Sequence, residues 1–489
     1  MPARSGRPAP GRCTPRRRRT RIDPARHAPH SGRGTARTRR RRRMTDAPEQ
    51  EPSQFALLRL RRFWPLFWVQ FLGAFNDQCF KTAFVALLTW RLARERGLEG
   101  ELDLLVQVSA ALFILPFALI SPTAGLISDR VDKAVMMRWV KFAEVVLMGL
   151  AALAFHAQNV TLLFVLLFAM GAQSAFFAPI KYAVLPRYLA RRELVAGNGL
   201  VQAATFLAII LGQIAGAKLV LTADGVTVAS LAVIGIALVG WLASLRALPV
   251  PPLGPAPKVD WLLPRAMVRS LRDGARAPEP FFAILLSGWF WFTGAAVLSF
   301  IPPLAKENLH GTEDVALLLL VTFSVGVALG ALACNRILRG EVSYRTAPFG
   351  ALGILAGIAL FRAGLAGYGA DIAPDAPLMD GAAFLARGDA WPLLTGFTLM
   401  SAAAGLYVVP LSVIYQATSP EGERGRFVAC SNVVDSISMV GSALLAIGLV
   451  AAGLAREDVM VIFGLTGLVA AAVILRHHRA GPDLSSPER

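Results

Sequence analysis

The chain has 489 residues, 55% of them hydrophobic and 17% charged, well outside the ~45–50% apolar and ~25% charged of soluble domains. Its apolar residues fall in blocks of about 20 or more, not in short alternating runs, which excludes a transmembrane β-barrel and defines an all-α, polytopic membrane protein. The net charge of +18 sits almost wholly in the head: residues 1–43 hold sixteen Arg against the single acid Asp23, leaving residues 44–489 at +3.

That head has neither an apolar run to bury nor the h-region of a secretory signal, so disorder is expected there. A polybasic arm suits anionic headgroups or nucleic acid. The plainer expectation is that Met44 opens the native chain, that 1–43 is upstream sequence, and that no nucleic acid is bound.

Twelve apolar blocks follow. The first six lie near 63–92, 103–128, 135–157, 160–186, 195–221 and 226–247. The second six lie near 281–305, 314–338, 346–366, 391–418, 428–451 and 455–476. The predicted organisation is a head and short tail over 1–62, a six-helix half over 63–247, a linker over 248–280, a second half over 281–476, and a tail over 477–489. The linker is rich in Pro and Arg and carries a short amphipathic piece near 261–271.

Lys and Arg in the loops set the orientation. With both termini inside, the cytoplasmic segments collect Arg59, Arg61, Arg62, Arg130, Lys133, Arg138, Arg187, Arg191 and Arg192 in the first half. Arg246 and the linker together add six more bases, and Arg336, Arg339, Arg345, Arg424, Arg426, Arg476 and Arg479 follow. The outer loops carry far fewer, and 367–390 carries Asp371, Asp375, Asp380 and Asp389. Both ends are expected in the cytoplasm.

The two sets also look duplicated. Gly125 to Asp129-Arg130 at the end of the second block is matched by Ala331 to Asn335-Arg336 at the end of the eighth. Pro179 before a basic loop and Asn198 is matched by Pro410 before Arg424, Arg426 and Asn432. Parallel halves related by an axis along the membrane normal are the arrangement of major facilitator transporters.

No phosphate-binding loop, zinc helix or nucleophile elbow is present, so no enzyme, metal or cofactor is expected. Cys13, Cys79, Cys334 and Cys430 are scattered, as packing residues are. The informative residues are polar ones inside apolar blocks. Asp77, in Asn76-Asp77 of the first block, falls roughly 20 Å from Trp64, near the hydrocarbon midplane. An ionised group there costs about 2.5–3.5 kcal/mol. Lys81 follows one turn on, in the favourable order for a pair, so a structural lock and a substrate site are both open. Lys141 and Glu144 in the third block, Gln202 and Gln213 in the fifth, complete the first half. Lys181, Asn198, Asn432 and Asp435 form a second polar group, expected in the cytoplasmic half as a headgroup receptor or an inner gate, and Tyr182, next to Lys181, is a further substrate-binding candidate. The bland alternative for each is an interhelical hydrogen bond worth ~0.6 kcal/mol.

Segment 125–133, with Gly125, Asp129, Arg130 and Lys133, resembles the major facilitator loop between helices 2 and 3, with Asp132 and Lys133 where Gly and Arg are usual. Its physics suits a gate: an acid beside the N-terminus of a facing helix gains from the helix dipole, and the bases can pair across the halves. Phe71-Leu-Gly-Ala-Phe-Asn76-Asp77, Pro179-Ile-Lys181-Tyr182, Val195-Ala-Gly-Asn198-Gly-Leu and Val408-Val-Pro410-Leu resemble the bacterial lysophospholipid transporters of that superfamily. Ser287-Gly-Trp289-Phe-Trp291-Phe-Thr-Gly and Thr322-Phe-Ser-Val-Gly326 look closer to a branch fused to an acyltransferase and an acyl-carrier-protein ligase.

The resemblance covers about 60–476. It implies a twelve-helix major facilitator fold in the bacterial inner membrane that flips lysophosphatidylethanolamine-type lipids inward for re-acylation by a separate enzyme. Asp77 and Lys181 would meet the headgroup. A helix 7 arginine of the free-standing transporters has no match in Gly294-Ala-Ala-Val-Leu-Ser-Phe. Two other functions stay open: proton-coupled export of an amphiphilic drug or metabolite, with Asp77 carrying the proton, and a non-transporting scaffold that docks an acyltransferase through 248–280.

Overall fold

The computed structural model describes residues 54–92, 97, 102–254, 258–373 and 376–480; the expectations for 1–43 and Met44 lie outside them. Lipid offers no partner for backbone N–H and C=O groups, so apolar blocks of this length satisfy them internally as helices. The first set is α1 (Trp64–Leu87, extended by one π turn, Leu88–Leu92), α2 (Leu102–Leu119), α3 (Ser121–Ser128), α4 (Lys133–His156), α5 (Val160–Tyr188), α6 (Leu194–Val220) and α7 (Gly225–Ser244). A short connecting helix, α8 (Leu263–Gly274), is the amphipathic piece of the linker. The second set is α9 (Pro278–Pro303), α10 (Glu313–Leu338), α11 (Ala347–Gly367), the one-turn α12 (Gly381–Ala386), α13 (Ala390–Thr418), α14 (Arg424–Ala451) and α15 (Arg456–Ala480).

Ten of these helices are long and apolar enough to cross a membrane, or eleven when α2 and α3 count as one span bent by 44°. The bend has a cause. Pro122 enters the first turn of α3 without an N–H to give, and Pro116 lies in the last turn of α2, so the hydrogen-bond ladder is interrupted there. The expected twelve is not reached by this measure. α1 has the length, 24 residues, but Gln70, Asn76, Asp77 and Lys81 dilute its apolarity. It packs inside the bundle against α6 and α7.

Large apolar side chains such as Trp139 (67% exposed) and Phe349 (70%) point outward on the bundle surface, a pattern that lipid and not water accounts for. The buried residues divide unevenly. One cluster joins the Asp129 end of the first set to the whole second set, from Phe63 and Val201 through Val327 to Ile474. The other, from Cys79 and Phe84 to Met170 and Ala237, belongs to the first set alone. The two sets are thus fused at the Asp129 end, while the opposite end of the first set closes on itself.

The linker is pinned at the fused end. Lys133 N–H donates to the Val250 carbonyl (3.0 Å), Tyr188 Oη to that of Leu248 (2.5 Å) and Thr123 Oγ1 to that of Asp260 (2.9 Å). Asp132 caps α4, accepting from the amides of Ala134 (2.8 Å) and Val135 (3.2 Å). At the far end, Arg387 binds Asp371 (2.5 Å) and Asp389 (2.6 Å) and folds the α11–α13 connection onto itself.

Candidate functional site: a latch and an interior polar cluster

The fused end is a latch made of close backbone approaches and polar bonds between the sets. Gly125 on α3 faces α14 so closely that a Cβ there would stand 2.6 Å from Ala429 Cβ and 2.7 Å from the Gly425 carbonyl oxygen. The approach brings Asp129 over the first turn of α14. Its two oxygens accept from the backbone amides of Gly425 (2.9 Å) and Arg426 (3.1 Å), and Arg426 Nε lies 3.4 Å away. A carboxylate over the first-turn amides of a helix gains from both the hydrogen bonds and the helix dipole. Burial nevertheless pushes the Asp129 carboxyl up to about 6, against the opposing pull of Lys133, the two amides and Arg426.

Lys133 behaves differently from the expected cross-pairing. Lys133 Nζ donates within its own loop, to the Ser128 carbonyl (3.0 Å). Arg130 is exposed. Arg426 of the second set reaches across to Asp129.

Asn198 and Asn432, expected in the polar group that meets substrate or closes a gate, both bridge the sets. Gln416 Nε2 donates to Asn198 Oδ1 (2.8 Å), and Asn198 Nδ2 donates to Gln416 Oε1 (3.3 Å). Asn432 Nδ2 donates to Ser121 Oγ (3.0 Å). Beside them a Cβ on Gly199 of α6 would meet the Ala331 carbonyl oxygen of α10 at 2.6 Å. The contacts α3–α14 and α6–α10 are the pair that a twofold relation between the sets requires.

Deeper in the first set lies a buried ion pair, Lys141 Nζ to Glu144 Oε2 at 2.6 Å, both side chains 2% exposed. Asn76 Nδ2 donates to Glu144 Oε1 (2.9 Å), and Gln173 Nε2 to Glu144 Oε2 (3.2 Å). Gly73 on α1 leaves the space that the Lys141 ammonium fills. Sequence reading noted Lys141 and Glu144 as intramembrane polar residues but not as the centre of a network. The usable signal was their one-turn spacing in an apolar helix.

Asp77 borders this network and does not join the ion pair. Ser174 Oγ donates to its Oδ2 (2.6 Å), and its Oδ1 is buried without a hydrogen-bond partner. No ion pair joins it to Lys81 or Lys181, the partners expected for it. Lys81 Nζ leans over the Phe113 ring (5.4 Å) and Lys181 Nζ over the Tyr182 ring (4.7 Å). An ammonium over an aromatic face gains from the ring quadrupole, with the Phe113 ring on α2 and the Tyr182 ring next to Lys181 on its own helix. Both bases stay within electrostatic reach of Asp77, and Asp77, Lys81, Lys181 and Tyr182 are all partly accessible.

Asp435 on α14 is the counterpart in the second set. Ser431 Oγ donates to its Oδ2 (3.1 Å), and its Oδ1 has no partner. It is close enough to Tyr182 and Tyr415 to act on both electrostatically. No group of His, Cys, Asp and Glu suited to a metal ion occurs among the described residues.

Apolar helices in two sets, latched at one end around an accessible polar interior, define a polytopic membrane protein of the transporter class. A model of the Major Facilitator Superfamily matches residues 66–385. The chain belongs to that superfamily. Curated relatives include the lysophospholipid transporter LplT of Citrobacter koseri, 28% identical over 76% of this chain and 84% of the relative. LplT of Serratia proteamaculans is likewise 28% identical over the same shares. Among solved structures, the human organic anion transporter MFSD10 aligns with a TM-score of 0.65 at 16% identity, covering 86% of this chain and 100% of that one. The Escherichia coli fucose:proton symporter FucP aligns at 0.57 and 16% identity, covering 84% of this chain and 98% of that one. These two carry the fold only.

Proposed function

We propose that this chain is a transporter of lysophospholipids in the bacterial inner membrane, with both termini cytoplasmic and the latch at the cytoplasmic end. The observation that carries the reading is Asp77: a carboxylate inside the bundle with one oxygen unpartnered, accessible, and flanked by Lys81 and Lys181 without an ion pair to either. A residue kept at that cost and left unsatisfied fits a charged ligand better than a lock. The relatives named as lysophospholipid transporters across 76% of the chain support the ligand class. They favour it over export of drugs or metabolites and over a scaffold.

In this reading Lys181 and Lys81 attract the headgroup phosphate, Asp77 takes part in headgroup contact, and the single acyl chain occupies apolar surface between the sets. Asp129, with Gly125 allowing the close approach, holds the cytoplasmic end shut, and Asn198 and Asn432 fasten it. Lys133 supports the loop. Re-acylation falls to a separate acyltransferase or ligase.

The test uses proteoliposomes and labelled lysophosphatidylethanolamine, comparing wild type with Asp77→Asn. Wild type should move the lipid across the bilayer and the variant should be strongly impaired. Absence of transport by wild type defeats the substrate; equal transport by both defeats the role of Asp77.

A further inference from the structure

Asp435 lies well inside α14 (Arg424–Ala451), away from both of its ends. No Lys or Arg pairs with it among the described residues; Ser431 Oγ donates to Oδ2, Ser287 is the one other polar side chain acting on the carboxylate, and the buried Oδ1 has no hydrogen-bond partner. A carboxylate held in low dielectric without a cation or enough donors is costly. It is partly accessible and lies toward Tyr182. The opposite wall has the complementary imbalance. Lys141 is neutralised by Glu144, which leaves Lys81 and Lys181 facing Asp77 alone, a surplus of one positive charge in the first set.

The interior is therefore polarised: cationic on the first set, anionic on the second, with the Tyr182 ring under the Lys181 ammonium and within electrostatic reach of Asp435. A zwitterion whose phosphate and primary ammonium are two carbons apart matches that polarity. Its phosphate turns to Lys181 and its ammonium to Asp435, where it supplies both the missing charge and N–H donors for the open oxygen. This arrangement also compensates for the absence of a base in Gly294-Ala-Ala-Val-Leu-Ser-Phe of α9: the second set reads the amine, not the phosphate.

We propose that Asp435 is the ammonium subsite of this transporter and sets a preference for amine-bearing over anionic lysophospholipid headgroups. The proposal rests on the lysophospholipid reading above and adds to it a determinant of headgroup choice. Proteoliposomes holding the full chain are given lysophosphatidylethanolamine or lysophosphatidylglycerol with the same acyl chain, using wild type, Asp435→Asn and Asp435→Glu. Asp435→Asn should lower transport of the ethanolamine lipid by about tenfold or more, the loss of a charge-assisted hydrogen bond. It should leave the glycerol lipid unchanged or faster, because a repulsive charge has gone. Asp435→Glu should keep the amine preference. The subsite is overturned if Asp435→Asn changes neither lipid, or if the ethanolamine lipid slows without the glycerol lipid being retained or raised. A uniform loss would mark a structural or proton-carrying carboxylate. Transport of neither lipid by wild type would bring down the transport reading and the subsite together, whereas the variant results bear on the subsite alone.

Discussion

Asn198 and Gln416 exchange two hydrogen bonds across the two helix sets, at 2.8 and 3.3 Å, and both side chains are buried. Neither amide has a competing solvent partner, so the pair acts as a fastener that must open whole. One interhelical hydrogen bond in a bilayer is worth only ~0.6 kcal/mol on average, but an amide stranded without its partner costs ~1–3 kcal/mol. The second effect decides. Asn198→Ala should weaken the closed end by that larger amount, and adding Gln416→Leu should restore part of it. Spin labels at Ala190 and Glu341, on opposite sets at this end, report the separation. The expected outcome is a longer distance in the single variant and a shorter one in the double.

Asp129 makes the same end respond to acid. Its carboxyl is raised to about 6 in the closed form, whereas a hydrated carboxyl in an opened form titrates near ~4. The form with the higher value holds the proton more tightly, so closure gains as pH falls through about 6 and gains nothing above it. Acidification from pH 7 to 5 should therefore raise the closed population, by roughly 1.4 kcal/mol per unit of difference at most. Asp129→Asn should abolish the response in the same label distances. Gly425→Ala, whose methyl would stand 2.6 Å from Asp129 Oδ1, should hold the end open at every pH.

A third prediction concerns the ion pair under the candidate site. Lys141→Met leaves Glu144 buried with only the Asn76 and Gln173 amides. Breaking one partner of a buried pair costs about 3–5 kcal/mol. Lys141→Met combined with Glu144→Gln removes the stranded charge and keeps an acceptor for Asn76. Thermal unfolding in detergent should show a large loss for the single variant and a clear recovery for the double.

Much of the architecture was legible because it follows from one-dimensional physics. The block near 160–186 is α5, Val160–Tyr188, and that near 391–418 is α13, Ala390–Thr418; burial in lipid leaves an apolar run no other choice. The break between α2 and α3 was not read, because two prolines within a span are compatible with a kink or with none until packing decides. The latch was legible at Gly125 and Asp129, whose spacing carries the chemistry. Gln416 and Ser121 were missed, since a lone amide or hydroxyl in an apolar helix has no partner until the other set is in place. The expected pairing of Asp77 with Lys81 or Lys181 failed as a contact because spacing puts charges on one face but does not show which rings stand near: Phe113 of α2 takes Lys81, and the adjacent Tyr182 takes Lys181.

The position of Asn76 and Asp77 depends on α6 as much as on α1, which gives the last prediction. Gly212 and Gly216 of α6 lie against the α1 backbone, where a Cβ would run into the carbonyl oxygens of Phe75 and Cys79. Those carbonyls bracket Asn76 and Asp77. A methyl at Gly212 is blocked by backbone, which cannot rotate aside as a side chain can, so α1 itself has to shift. Overpacking of this kind costs about 1–3 kcal/mol. Gly212→Ala should therefore lower Tm moderately and, by moving Asp77 away from the Ser174 hydroxyl that holds it at 2.6 Å, impair transport more than the stability loss accounts for. Gly235→Ala is the control: nothing lies within 4 Å of a Cβ there, so both readouts should stay at wild-type level. Equal effects of the two substitutions would show that α6 does not position the α1 acid.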